Sequence, residues 1–158
     1  MSETYKTIRE SRARQDHIIM PMDVNSDYTL FGGQLMQWID VVAGVVARRH
    51  SGCQVCTAAV DHLDFIEPAR IDDVVSVEGR IIYAGRTSMI VCVETLVEHP
   101  ATGKKPIRTN LAYLTMVAMD KEGKPTTIPK LKAETEEDEA DLRLGEERRA
   151  MRTSRSRG

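Results

Sequence analysis

Only three cysteines occur in 158 residues, an odd number that excludes a complete disulfide framework and fits a reducing compartment. Cys53 and Cys56 form a C-x-x-C, but no second pair follows and no histidine stands at ligand spacing, so a zinc or redox centre is not expected. Buried or half-buried free thiols are the simpler reading. An excess of one charge is also missing. Twenty-two basic residues against 24 acidic ones leave a formal net charge of -2, so no overall field would hold nucleic acid or an anionic membrane. Any anionic ligand must meet a local cluster of Lys and Arg. No apolar run is long and uninterrupted enough to span a bilayer, and the N-terminus, Met-Ser-Glu-Thr-Tyr-Lys, lacks a hydrophobic signal core. These features lead to the expectation of a cytoplasmic protein. His17, His50, His62 and His99 are scattered, and no serine lies in a Gly-x-Ser-x-Gly elbow. Metal-assisted and Ser-His-Asp hydrolysis are both disfavoured, and His62, close to Asp61 and Asp64, reads as a structural or rim histidine.

What is present suffices for one domain, since a hydrophobic content of 41% can form a single core at this length. A first strand is expected between Ser11 and Pro21, followed by a polar loop from Met22 to Leu30. Phe31-Gly32-Gly33 then opens an apolar helix running to about Arg49 or His50, with Gly52 closing it. Four strands are predicted after it: Cys53 to Ile66, Val74 to Ala84, Ser88 to Glu98 and Ile107 to Met119. Val75, Val77, Ile81 and Tyr83 should share one face; Met89, Val91, Val93 and Val97 should share another. Short turns between the strands imply antiparallel neighbours, and a curved antiparallel sheet is the economical cover for so apolar a helix. From Leu131 to Gly158 the chain changes character, with eight acidic and seven basic residues, acids first. This order complements a helix dipole, so a solvated or partner-contacting helix is expected from about Ala133 to Met151, in preference to nucleic-acid binding by the terminal arginines.

Within the helix one residue stands out. Asp40 is the only charged side chain between Phe31 and Ala47, and a carboxylate buried there without partners would be costly. Either neighbours satisfy it or the protein uses it. As a base, a carboxylate in apolar surroundings moves toward the range useful for catalysis. As a structural group, it would cap a loop or pair with a neighbour. Gly32 and Gly33 supply first-turn N–H groups that no helical carbonyl can pair, and these can face an oxyanion. Alone, two glycines merely make a tight turn.

The ordered set Asn25-x5-Phe31-Gly32-Gly33-x-Leu35-Met36-x-Trp38-Ile39-Asp40, then Asp64-Phe65-x-x-Pro68, Gly85-x-Thr87-Ser88 and Ala118-Met119-Asp120-x3-Lys124-Pro125, resembles the hotdog-fold acyl-CoA thioesterases of the YciA and brain acyl-CoA hydrolase group. The likeness covers roughly residues 18 to 129. It implies an α+β hotdog fold, a five-stranded antiparallel sheet around one central helix, over residues 1–130, with residues 131–158 a charged helix or tail. It also implies dimers whose sheets join edge to edge, often assembled into hexamers, and hydrolysis of acyl-CoA to fatty acid and CoA.

In that pattern Asp40 is the catalytic acid, Asn25 a polar partner for water or thioester, and Gly32 and Gly33 the oxyanion donors. Without the resemblance Asn25, beside Ser26 and Asp27, would be an ordinary turn former. Asp40 lies roughly 10 Å along the helix from the glycines, too far to grip the same carbonyl, and the resemblance places the two in different subunits. Arg86, Thr87 and Ser88 are implied as CoA contacts, though a hairpin turn with a solvated arginine is the alternative. No metal and no cofactor are expected, because CoA is part of the substrate and product. A non-catalytic acyl-CoA sensor and a hotdog dehydratase remain as alternatives. The retained Asp40 and lack of a DNA-binding segment disfavour the first, and the lack of a histidine near Asn25 disfavours the second.

Overall fold

The computed structural model describes residues 3–156, with side chains through residue 154. Arg157 and the Arg155 side chain, part of the terminal arginine group, therefore lie outside the described residues.

Buried residues recur every three or four positions from Leu35 and Trp38 through Val42 and Val46 to His50, on one face of α1, Gly32–Ser51. The helix ends at the predicted glycine. Gly52 has a φ of 71° and its N–H bonds to the Arg48 carbonyl, a left-handed conformation that costs glycine little.

The strands are β1, Tyr5–Thr7; β2, Ala13–Ile18; β3, Gln54–Asp61; β4, Val74–Ala84; β5, Ser88–Glu98; β6, Ile107–Met119; and β7, Lys130–Lys132. Five of them form an antiparallel sheet in the order β2-β4-β5-β6-β3, while β1 and β7 pair in parallel beside it. The bounds of β4, β5 and β6 agree with their predicted runs. β2 and β3 are shorter than expected: a 3₁₀ turn over Arg9–Ser11 precedes β2, and β3 ends where His62 takes a φ of 60°. β3 does not neighbour β4 but pairs with β6 at the far edge, because residues 62–73 are long enough to cross the end of the sheet. Tyr83 also departs from expectation. A register shift between Ile81 and Tyr83 turns Tyr83 onto the outer face with Ile82, Cys92 and Tyr113, leaving Ile81 in the main core. The three cysteines are free; Cys92 is buried, Cys53 half-buried and Cys56 exposed. Burial pushes the Cys92 thiol up to about 11.

The charged tail is not a solvated appendage. It forms α2, Glu136–Ser156, starting later than predicted because Thr135 Oγ1 accepts the Asp138 N–H at 3.0 Å while Asp138 accepts the Glu134 N–H at 2.9 Å. The helix lies on the outer face of the sheet. Arg80 on β4 holds it, donating to Asp141 at 2.9 Å and to Glu94 at 2.9 Å. Arg148 stacks 4.2 Å from the Tyr113 ring centre.

His50, fully buried, joins the last turn of α1 to the segment leading into β7, with Nε2 2.7 Å from the Pro129 carbonyl oxygen. A donor is needed against that carbonyl, so Nε2 carries the hydrogen, and Nδ1 is buried without a hydrogen-bond partner among the described residues. Burial holds its pKa below the ordinary 6.5 despite the opposing bond to Pro129. The unfolded chain therefore binds a proton first as pH falls, so stability due to neutral His50 is complete above pH 6.5 and is lost below it. Chemical unfolding at pH 7.5 and pH 5.5 should show this loss, and His50→Gln should flatten the difference.

Candidate active site

α1 buries only one face in the single chain. Its opposite side, bearing Met36, Gln37, Asp40 and Val41, is exposed, so Asp40 does not lie in the enclosed apolar setting its neighbours suggested. Alternating helical faces explain the difference. The apolar residues missing from the core, Met36 and Val41, are on the bare face with Asp40.

Asp40 is nevertheless held. Thr57 on β3 donates its hydroxyl to Asp40 Oδ1 at 2.5 Å, fixing one carboxylate oxygen, and the second oxygen can accept from a further partner. Sequence reasoning missed Thr57. It lies just before a register shift, between Thr57 and Ala59, that re-aims the strand, and only its position as the one hydroxyl residue in β3 could have marked it. Asp40, Thr57, Gly33, Met36 and Val60 line a cavity of about 350 Å³.

Asn25 and Gly32 line a separate cleft of about 280 Å³ with Leu30, Phe65 and Thr95. Asn25 is a turn former here. Its Oδ1 accepts N–H bonds from Asp27 at 2.9 Å and Thr29 at 3.2 Å, leaving its amide N–H groups without a partner among the described residues. Phe31 precedes α1 and makes no side-chain cap, and the first helical bonds run from Gln34 and Leu35 N–H to the Phe31 carbonyl. The Gly32 and Gly33 N–H groups stand ahead of these bonds. Neither glycine has a positive φ, and a Cβ on Gly32 would meet the Phe65 ring at 3.4 Å, an ordinary contact. Backbone geometry inside the chain does not demand glycine at this position.

Arg86, Thr87 and Ser88 form the β4–β5 turn and the start of β5, where the Gly85 N–H bonds the Ser88 carbonyl at 2.8 Å. Arg86 is exposed on a cleft of about 860 Å³ that also includes Tyr5, Ile128 and Glu146. Ser88 Oγ accepts from Arg149 at 3.3 Å. One chain thus divides the predicted residues among three places: Asp40 with Gly33, Asn25 with Gly32, and the turn. No group of three or more His, Cys, Asp or Glu among the described residues is arranged to hold a metal ion. Among these residues, no helix is long and apolar enough to cross a membrane.

Residues 28–104 match the thioesterase superfamily. The uncharacterized acyl-CoA thioester hydrolase YkhA of Bacillus subtilis is 38% identical over 130 residues, 82% of this chain and 75% of its own length. This chain belongs to the thioesterase superfamily. The superfamily member is also 30% identical to the rat cytosolic acyl coenzyme A thioester hydrolase over 96% of its length, spanning only 40% of that longer relative. Its fold matches the Staphylococcus aureus acyl-CoA hydrolase in complex with butyryl coenzyme A and coenzyme A, with TM-score 0.89, 34% identity and coverage of 96% of this chain and 92% of that one. In the same hydrolase an asparagine, an aspartate and a threonine were each changed to alanine, at positions fifteen and then seventeen residues apart. An apo-hexameric acyl-CoA thioesterase matches with TM-score 0.91 and 33% identity over 97% of both chains.

Proposed function

We propose that this superfamily member is an acyl-CoA thioesterase whose catalytic unit is a pair of chains, hydrolysing acyl-CoA to a free fatty acid and CoA. The observation that carries it is Asp40, held by Thr57 beside a cavity on a bare helix face. Asn25, Asp40 and Thr57 have the same spacing, fifteen and seventeen residues, as the three residues changed in the Staphylococcus aureus hydrolase.

A second copy accounts for the surface. Met22, Tyr28, Phe31 and Phe65 are 87%, 70%, 56% and 55% exposed, and Met36 and Val41 are each 46% exposed. Apolar surface of this extent favours burial against a partner. Pairing that covers α1 would bring Asp40 of one protomer toward the cleft of Asn25 and Gly32 in the other. Further assembly as a trimer of dimers is part of the proposal.

In the composite site, the Asn25 amide and the Gly32 and Gly33 N–H groups donate to the thioester carbonyl oxygen and to the oxyanion it becomes. Asp40 takes a proton from water as the water oxygen bonds to the carbonyl carbon. When the carbon–sulfur bond breaks, the CoA thiolate takes the proton back. Direct attack by Asp40, through an anhydride, uses the same groups. Arg86, with Thr87 and Ser88, meets the CoA phosphates. The reaction needs no metal or cofactor, and no nucleic-acid or membrane partner is invoked.

The test is thiol release measured across acyl-CoA chain lengths. Steady release from at least one chain length is expected. Tight acyl-CoA binding with no release would instead identify a sensor, and hydration of an enoyl thioester without release would identify a dehydratase.

A further inference from the structure

β5 supplies Thr95 and Val97 to the cleft of Asn25 and Gly32, and its alternation continues, one residue beyond the strand, to His99. That histidine stands between two carboxylates. Its Nδ1 is 2.8 Å from Asp73 Oδ1, and its Nε2 is 3.6 Å from Glu67 Oε1, within ion-pair range. Both acids belong to residues 62–73, the segment that crosses the end of the sheet. Glu67 itself lines the cleft, together with Pro68 and Ala69.

The two carboxylates are held differently. Asp73 is 8% exposed, and its Oδ2 accepts the Arg70 N–H at 2.8 Å. Its own N–H donates to the Arg70 carbonyl at 3.0 Å, and its carbonyl accepts the Ile19 N–H at 2.9 Å. Asp73 is therefore a fixed acceptor that orients the imidazole, while the more exposed Glu67 side chain meets the ring's other nitrogen at the cleft. A neutral imidazole has one N–H and can donate to only one of these acids; the doubly protonated ring donates to both and sets a positive charge beside Glu67. The hydrogen bond to Asp73, foremost, and the nearby Glu67 hold His99 above its ordinary 6.5. The ring is thus charged at and below that pH and loses its charge as pH rises through the raised value. The other charged groups of the adjoining segments are Arg70 and Asp72 next to Asp73, Glu98 next to His99, Lys104 and Lys105 after the following turn, and Arg108 on β6.

We infer that His99 is a positioning residue for thioester hydrolysis: its charged ring, oriented by Asp73, holds the Glu67 carboxylate and offsets its negative charge in the cleft where the oxyanion forms. The inference rests on the acyl-CoA hydrolysis proposed above, which gives Asn25 and Gly32 of this cleft to the oxyanion. Glu67 shares that cleft, so without the imidazolium its charge opposes the negative charge that develops on the thioester oxygen. His99 acts through Glu67 and does not line the cleft itself.

The experiment follows kcat and KM from pH 6 to pH 9 on the acyl-CoA that the wild type uses best, in the wild type, His99→Gln, Glu67→Gln and the double variant. The wild-type kcat should fall about tenfold on the alkaline side, the scale of one nearby charge left unopposed. KM should change little, because the oxyanion is present in the transition state and not in the bound substrate. His99→Gln should have the low kcat throughout, Glu67→Gln should lose the alkaline fall, and the double variant should be faster than His99→Gln. A merely structural histidine would leave the double variant as slow as His99→Gln. That outcome, a wild type without the alkaline fall, or a fall that persists in Glu67→Gln overturns the inference. If His99→Gln does not fold, the titration of His99 followed by NMR in the wild type and Glu67→Gln decides: a lower pKa in the variant supports the pairing, and equal values refute it. Wild-type turnover at pH 6.5 reports separately on hydrolysis itself. No thiol release from any chain length would overturn both.

Discussion

Asp40→Asn is expected to lower turnover at least about a hundredfold, the scale of a lost general base, while folding and CoA binding survive. Asparagine has nearly the same shape and can still accept the Thr57 hydroxyl, which Asp40 accepts at 2.5 Å, but it cannot take a proton from water or attack the thioester. Because Asp40 is exposed in the single chain, the change removes no core packing, so loss of activity would not be a disguised loss of stability. Thiol release, binding of CoA and thermal unfolding should be measured on the same preparation. Turnover near that of the wild type would remove Asp40 from the chemistry. Single turnover in oxygen-18 water separates its two possible roles, since label in the Asp40 carboxylate requires the anhydride route.

Gly145→Ala is expected to destabilise the protein, opposite to the usual effect in a helix. Alanine is favoured over glycine in exposed helix interiors by about 1 kcal/mol. At Gly145, however, a Cβ would lie 1.9 Å from the Ile82 carbonyl oxygen and 2.6 Å from its carbon. Those are backbone atoms of β4, so no side-chain rotation can relieve the overlap. α2 would have to lift, straining the Arg80–Asp141 pair at 2.9 Å and the Arg148 stack on Tyr113. Arg80 and Asp141 are largely buried, which makes separation costly. Overpacking of this kind costs about 3 kcal/mol, equivalent to about 6–12 °C in Tm at this chain length. An unchanged or raised Tm would show that α2 is not seated so closely in solution.

The interior of the fold was legible because β4, β5 and β6 are long, β-branched and bounded by turns, and because Gly52 marks the end of α1. Strand pairing at the edges was harder to read. Nothing local tells β3 to pair with β6, or Tyr5–Thr7 with Lys130–Lys132, since those choices depend on contacts distant in sequence. A register shift likewise moved Tyr83 to the outer face. Composition made α2 look solvated, yet its charged Asp141 and Arg148 are among the residues that dock it.

Asp40 was conspicuous as a lone charge, whereas Thr57 was hidden among ordinary strand residues until the fold placed it against Asp40. The apolar surroundings inferred for Asp40 belong to a helix with two apolar faces. One packs in the core, and the other, exposed in the single chain, is the face that the proposed pairing would cover.

The two-protomer site is tested most directly by co-expressing Asp40→Asn chains with Asn25→Ala chains. Each variant alone should be nearly inactive. In mixed dimers, one composite site joins the intact Asp40 of one chain to the intact Asn25 of the other. Random pairing then restores about a quarter of wild-type sites, and thiol release should recover to that level. Release no greater than the sum of the separate variants would contradict a site shared between protomers.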